Sequence, residues 1–106
     1  MPSSGFQERF VRSFLDWVML AILDRKPSYG YEMITIIGDE YGVFVSPGSL
    51  YPILYDLDEQ GLITGTWYNP DKRTRKVYTL TPEGIEFVHR GFERIEGILA
   101  SLRRRR

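Results

Sequence analysis

The chain has 106 residues, 42% of them hydrophobic, which suits one compact domain and leaves little room for a second core. It has no cysteine and a single histidine, His89, which excludes disulfides, iron–sulfur clusters and thiolate metal sites and argues against a histidine-based metal site or catalytic triad. The formal net charge is zero, but four bases face nine acids through Gln60 and ten face five beyond it, so the basic charge gathers at Lys72 to Lys76 and Arg103 to Arg106.

From Phe6 to Asp24 the residues Phe6, Phe10, Phe14, Trp17, Val18 and Ala21 recur at helical spacing, and Leu15, Leu20, Ile22 and Leu23 widen the stripe. One helix buried on more than one side is expected there. Its three phenylalanines suit either a partner surface or packing within the monomer. Pro27 breaks the pattern and Ser28 offers a cap, so a second helix is expected from about Tyr29 to Tyr41. Its inner side would carry Tyr31, Ile34, Ile37 and Tyr41, and Gly42 would end it. Val43, Phe44 and Val45 form a short apolar connection.

A third helix follows with its limits written in. Ser46 can cap it, Pro47 suits its first position, and Gly61 can turn left-handed beyond its end. Leu50, Ile53, Leu54 and Leu57 share one face, leaving Ser49, Pro52, Tyr55, Asp56 and Glu59 outward. Pro52 is the anomaly, since proline inside a helix costs about 3 kcal/mol. A cap at Ser49 would place it in the first turn, whereas a cap at Ser46, favoured by Pro47, leaves it inside.

Leu62 to Tyr68 and Val77 to Leu80 are rich in β-branched and aromatic residues around Asn69-Pro-Asp, a hairpin signature with a polar, basic tip through Lys76. Thr81 and Pro82 then open a last helix. Along it Ile85, Val88, Phe92, Ile95, Leu99 and Leu102 alternate steps of three and four, an a/d seam. Gly91 and Gly97 weaken that helix by roughly 1 kcal/mol each against alanine, so it depends on tertiary packing, and glycine there permits close approach.

Three helices, a hairpin and a final helix make a mainly α chain with a small β-hairpin, the order of a winged helix-turn-helix. Residues 1–80 would form the winged unit with an N-terminal helix extension, and 81–106 a C-terminal dimerisation helix. The chain also resembles the PadR family of transcriptional regulators from about Leu15 to Leu102. The resemblance rests on Pro27-Ser-Tyr-Gly-Tyr-Glu32, Gly48-Ser-Leu-Tyr-Pro52, Leu57-Asp-Glu-Gln-Gly-Leu-Ile63 and Tyr78-Thr-Leu-Thr-Pro-Glu-Gly84, in that order. It implies dimers that bind operator DNA through the third helix and wing, often released by a small molecule. By resemblance Ser49, Tyr51 and Pro52 sit where the family approaches DNA. Tyr29 and Gly30 match the family's entry to the second helix in type, although Ser28 and Tyr29 stand where histidine is commoner. The single helix at the end places the chain with the short subfamily.

Lys72, Arg73, Arg75 and Lys76 supply positive charge for phosphates, with a solvated hairpin tip as the bland alternative. Ser46, Gly48 and Ser49 are small enough for a helix N-terminus to approach phosphate, and Tyr51 and Tyr55 add hydroxyls, though core packing suits Tyr51 equally. No Arg, Lys, Asn or Gln lies on the early outward face, so base readout should be sparse. Asp56, Asp58 and Glu59 should point away from DNA; no base or pocket accompanies them as a catalytic pair. Arg103 to Arg106 are expected to fray.

The expected protein is a homodimeric repressor, not an enzyme, that binds double-stranded DNA without cofactor or metal. Its interface would comprise Phe6, Phe10 and Phe14 with Ile85, Val88, Phe92, Ile95, Leu99 and Leu102. A small aromatic effector would touch Trp17, for which a core tryptophan is the plainer reading. No apolar run reaches the roughly 18 residues of a membrane span and Met1 to Gly5 has no signal-peptide pattern, so a cytoplasmic protein without a membrane partner is expected. The rival reading is a winged-helix protein-association module using the acidic N-terminal half.

Overall fold

The computed structural model describes residues 5–69, 71 and 75–104. Their order is α1 (Gly5–Ser13), α2 (Leu15–Arg25), α3 (Gly30–Tyr41), α4 (Pro47–Glu59), β1 (Ile63–Trp67), β2 (Lys76–Leu80) and α5 (Pro82–Leu102). This is the mainly helical winged-helix order expected, with two antiparallel strands as the wing. The core centres on Met19, Leu20, Met33, Ile37, Leu50 and Leu54, contributed by α2, α3 and α4 and all fully buried.

The first expected helix is two. Phe14 leaves the helical well at φ −118° and ψ 32°, while the Phe14 N–H still donates to the Phe10 carbonyl at 3.1 Å. The break lets α1 depart from α2 and lie against the end of α3. There Gln7 Nε2 donates to the Tyr41 carbonyl at 2.6 Å and Arg12 Nη2 to the Phe44 carbonyl at 2.8 Å. The Tyr41 carbonyl is one that the end of α3 leaves unpaired, and the Phe44 carbonyl lies in the connection to α4, so α1 gives both a partner.

Ser28 is not the cap of α3. Tyr29 is, and its N–H donates to Glu32 Oε1 at 2.8 Å. Ser28 instead pairs with Tyr78 as an isolated antiparallel bridge, its N–H donating to the Tyr78 carbonyl at 3.2 Å and its carbonyl accepting from the Tyr78 N–H at 2.9 Å. The wing is thereby stitched to the entry of α3. Tyr31 also departs from expectation: it is 65% exposed, because Gly30, Met33 and Ile37 form the buried face. Gly42 ends α3 at φ 68°, as expected.

Ser46 caps α4, its Oγ accepting from the Ser49 N–H at 3.2 Å, with Pro47 just inside. Pro52 therefore lies within the helix, where the Gly48 carbonyl loses its usual partner. Leu50, Leu54 and Leu57 are buried, and Gly61 takes φ 79° beyond the end. In the hairpin Ile63 pairs with Leu80, Gly65 with Tyr78 and Trp67 with Lys76, so Lys76 belongs to a strand rather than the tip. Side chains alternate across a strand, so one face runs from buried Ile63 and Tyr78 out to Trp67 and Lys76.

Thr81 caps α5, its Oγ1 accepting from the Gly84 N–H at 3.1 Å and donating to the Gly61 carbonyl at 2.6 Å. The helix packs on α2 and β2. Val88 is fully buried in this chain's own core, which corrects its assignment to a partner-facing seam. Ile85, Phe92, Leu99 and Leu102 are exposed, and Ile95 is half-buried.

Candidate nucleic-acid interface

The start of α3, the outer face of α4 and the inner face of the wing enclose a cleft of about 730 Å³. Its lining combines Tyr29, Tyr31, Tyr51, Tyr55, Trp67 and Tyr78 with Arg75, Lys76, Gly30 and Glu32. Tyr51 stands at the centre, 6.2 Å from the Tyr31 ring and 6.5 Å from the Tyr55 ring between centroids. Burial, aided by Tyr31 and Tyr55, holds the Tyr51 phenol above its ordinary value. It stays protonated, and its hydroxyl remains a donor. Burial has the same effect on Tyr78.

The two described wing cations rest on ring faces. The Arg75 guanidinium lies 5.3 Å from the Tyr29 centroid, and the Lys76 ammonium lies 5.4 Å from that of Trp67 and 5.9 Å from that of Tyr78. By contrast Arg12, Arg25, Lys26 and Arg90 are each paired with a carboxylate. Among the described residues, no carboxylate pairs with Arg75 or Lys76. The one acid among the described lining residues, Glu32, is engaged by the Tyr29 N–H at 2.8 Å and by Lys26 Nζ at 3.5 Å.

Five residues singled out from the sequence therefore meet in one cleft: Tyr29, Tyr51, Tyr55, Arg75 and Lys76. Gly48, Ser49 and Pro52 lie on the exposed early part of α4, outside that lining. Ser46 Oγ is occupied by its cap and by the Ser49 hydroxyl at 3.2 Å. Lys72 and Arg73 lie outside the described residues, as do Arg105 and Arg106. Asp56, Asp58 and Glu59 do not line the cleft, and Asp56 Oδ2 accepts from Gln60 Nε2 at 2.8 Å. Sequence reasoning missed Tyr31, Trp67 and Tyr78. The alternation of Gly65 with Trp67 and of Lys76 with Tyr78 was the available signal for the wing's inner face.

Trp17 occupies a separate place. Its ring meets Phe92 edge-on with centroids 4.8 Å apart, its Nε1 donates to the Val88 carbonyl at 3.3 Å, and it covers the bare backbone at Gly91. A groove of about 480 Å³ opens beside it, walled by Phe6, Phe10, Trp17 and Phe92 over Val18 and Ile22. Phe14 lines a second groove of about 520 Å³ across the Trp17 ring, with Phe87, Ile95 and Ile98. Among the described residues no cluster is placed to hold a metal ion, and no helix is long and apolar enough to cross a membrane.

Residues 19–90 match the Transcriptional regulator PadR-like family. The chain is 35% identical over 97 residues to the transcriptional regulator YqjI of Escherichia coli, covering 89% of this chain and 45% of that protein. It thus spans less than half the length of that curated relative. A PadR family transcriptional regulator from Eggerthella lenta superposes with a TM-score of 0.77 at 28% identity, covering 89% of this chain and 82% of the other. One from Clostridium difficile gives 0.75 at 26% identity, over 84% and 94%. All three are described as transcriptional regulators.

Proposed function

The chain belongs to the PadR-like family of transcriptional regulators, and from that premise we propose that it is a cytoplasmic repressor that binds duplex DNA as a homodimer. The observation that carries the DNA-binding reading is the cleft between α3, α4 and the wing, where Arg75 and Lys76 are oriented by rings and, among the described residues, paired with no carboxylate. Affinity for DNA comes chiefly from such cations meeting phosphates. The tyrosine hydroxyls of the cleft add neutral donors that fix register without reading sequence. Ser49 and Pro52, exposed on the same helix, are the residues nearest in kind to base contacts, and none is a bidentate reader. Specificity in this account leans on DNA shape and on the wing.

The dimer reading draws on the exposed apolar surface of α1, the Phe14 break and α5. Phe6, Phe10 and Phe14 on one side and Phe92, Leu99 and Leu102 on the other are large, apolar and exposed within a single chain. Paired seams of this kind bury each other in two-fold dimers. The aromatic groove beside Trp17 would then lie near that interface and take a small aromatic effector.

Selection of bound fragments from genomic DNA tests the function. A two-fold regulator enriches pseudo-palindromic sites with half-sites one helical turn, about 34 Å, apart. Enrichment of no common site would count against it and favour a module for protein association.

A further inference from the structure

We propose that Trp67 is a positioning residue for DNA binding: its ring, with that of Tyr78, holds the Lys76 ammonium at the cleft wall, where it meets a backbone phosphate. This inference rests on the DNA-binding reading above.

Trp67 and Lys76 are direct partners in the ladder, so their side chains leave the sheet on the same face, within reach of each other. The lysine stem lies across Gly65: a Cβ there would fall 2.7 Å from Lys76 Cε and 2.9 Å from Tyr78 Cε1. A bare residue at 65 thus opens the path by which Lys76 reaches the two rings, 5.4 and 5.9 Å from its ammonium. A lysine otherwise samples many rotamers, and fixing it for one phosphate costs entropy at binding. Ring faces settle part of that cost beforehand. Unlike a carboxylate, they carry no net charge, so the ammonium stays fully available to the phosphate.

The test measures binding of the full chain to a random-sequence duplex across a series of KCl concentrations. Trp67→Leu should bind roughly two- to fivefold more weakly per protomer, the scale of an exposed cation–π contact. Its salt dependence should be shallower than wild type by up to about 0.9 per protomer, the slope of one phosphate contact. Trp67→Phe, which keeps a ring face, should bind like wild type. In the Lys76→Ala background Trp67→Leu should add nothing. Gly65→Ala, which crowds the Lys76 stem and the Tyr78 ring and leaves Trp67 itself in place, should reproduce the loss in affinity and slope and serves as the decisive variant if Trp67→Leu does not fold. Losses of Trp67→Leu and Lys76→Ala that multiply, or a Trp67→Leu or Gly65→Ala protein that binds like wild type, would overturn the proposal. A wild type that binds no duplex at low salt would remove the DNA-binding reading itself, a separate outcome.

Discussion

The Tyr51 ring lies against the bare backbone of Gly30, locking the first turn of α3 to the outer face of α4 where the cleft begins. A Cβ at position 30 would fall 2.6 Å from Tyr51 Oη and 2.7 Å from Cζ. Gly30→Ala should therefore push Tyr51 from its place, at a cost of about 1–3 kcal/mol. Urea unfolding would measure the loss, and duplex binding should weaken with it. Unchanged stability would mean that the ring swings aside freely.

Two glycines of α5 should respond in opposite directions. A side chain at Gly91 collides with the Trp17 ring, whereas nothing lies within 4 Å of one at Gly97. Gly91→Ala should cost about 1–3 kcal/mol through overpacking. Gly97→Ala should stabilise by about 0.5–1 kcal/mol through helix propensity alone. Paired thermal and urea melts check both signs.

Pro52 sits inside α4 and is exposed. Pro52→Ala restores an N–H for the Gly48 carbonyl and should raise stability by about 1–3 kcal/mol. A urea midpoint that does not move would show that this carbonyl is satisfied elsewhere.

Leu99 tests the dimer more cleanly than Phe92, because Phe92 packs on Trp17 within one chain. Leu99 is 45% exposed. Leu99→Glu removes a buried leucine's roughly 1.5–3 kcal/mol from each side of a two-fold interface, enough to weaken it more than about tenfold. Sedimentation should show monomer while helical circular dichroism persists. A dimer of wild-type strength would place the interface elsewhere.

The winged-helix order was legible because its punctuation is local. Ser46, Thr81, Gly42 and Gly61 act on the helix ends beside them, and all four do what their residue types predict. The break at Phe14 and the diversion of Ser28 were not legible, since each depends on partners far along the chain, Tyr41 and Phe44 in one case and Tyr78 in the other. Spacing alone could not separate Val88 from its neighbours on the seam: a helix that first crosses its own core and then leaves it keeps one periodicity throughout. In the cleft, charge pointed to Arg75 and Lys76, resemblance to Tyr29 and Tyr51, and hydroxyls on the helix face to Tyr51 and Tyr55. Tyr31 needed the phase of α3, and although two-residue spacing groups Gly65 with Trp67 and Lys76 with Tyr78, the register that joins the two pairs is set by tertiary packing.

DNA binding by this chain is tested most directly by its affinity for duplex DNA as salt is raised. Log affinity should fall linearly with log salt, near −0.9 per phosphate engaged, so that a dimer touching about six to ten phosphates loses roughly 10³–10⁵ between about 50 and 200 mM. Binding that is undetectable even at low salt, or that is indifferent to salt, would contradict it.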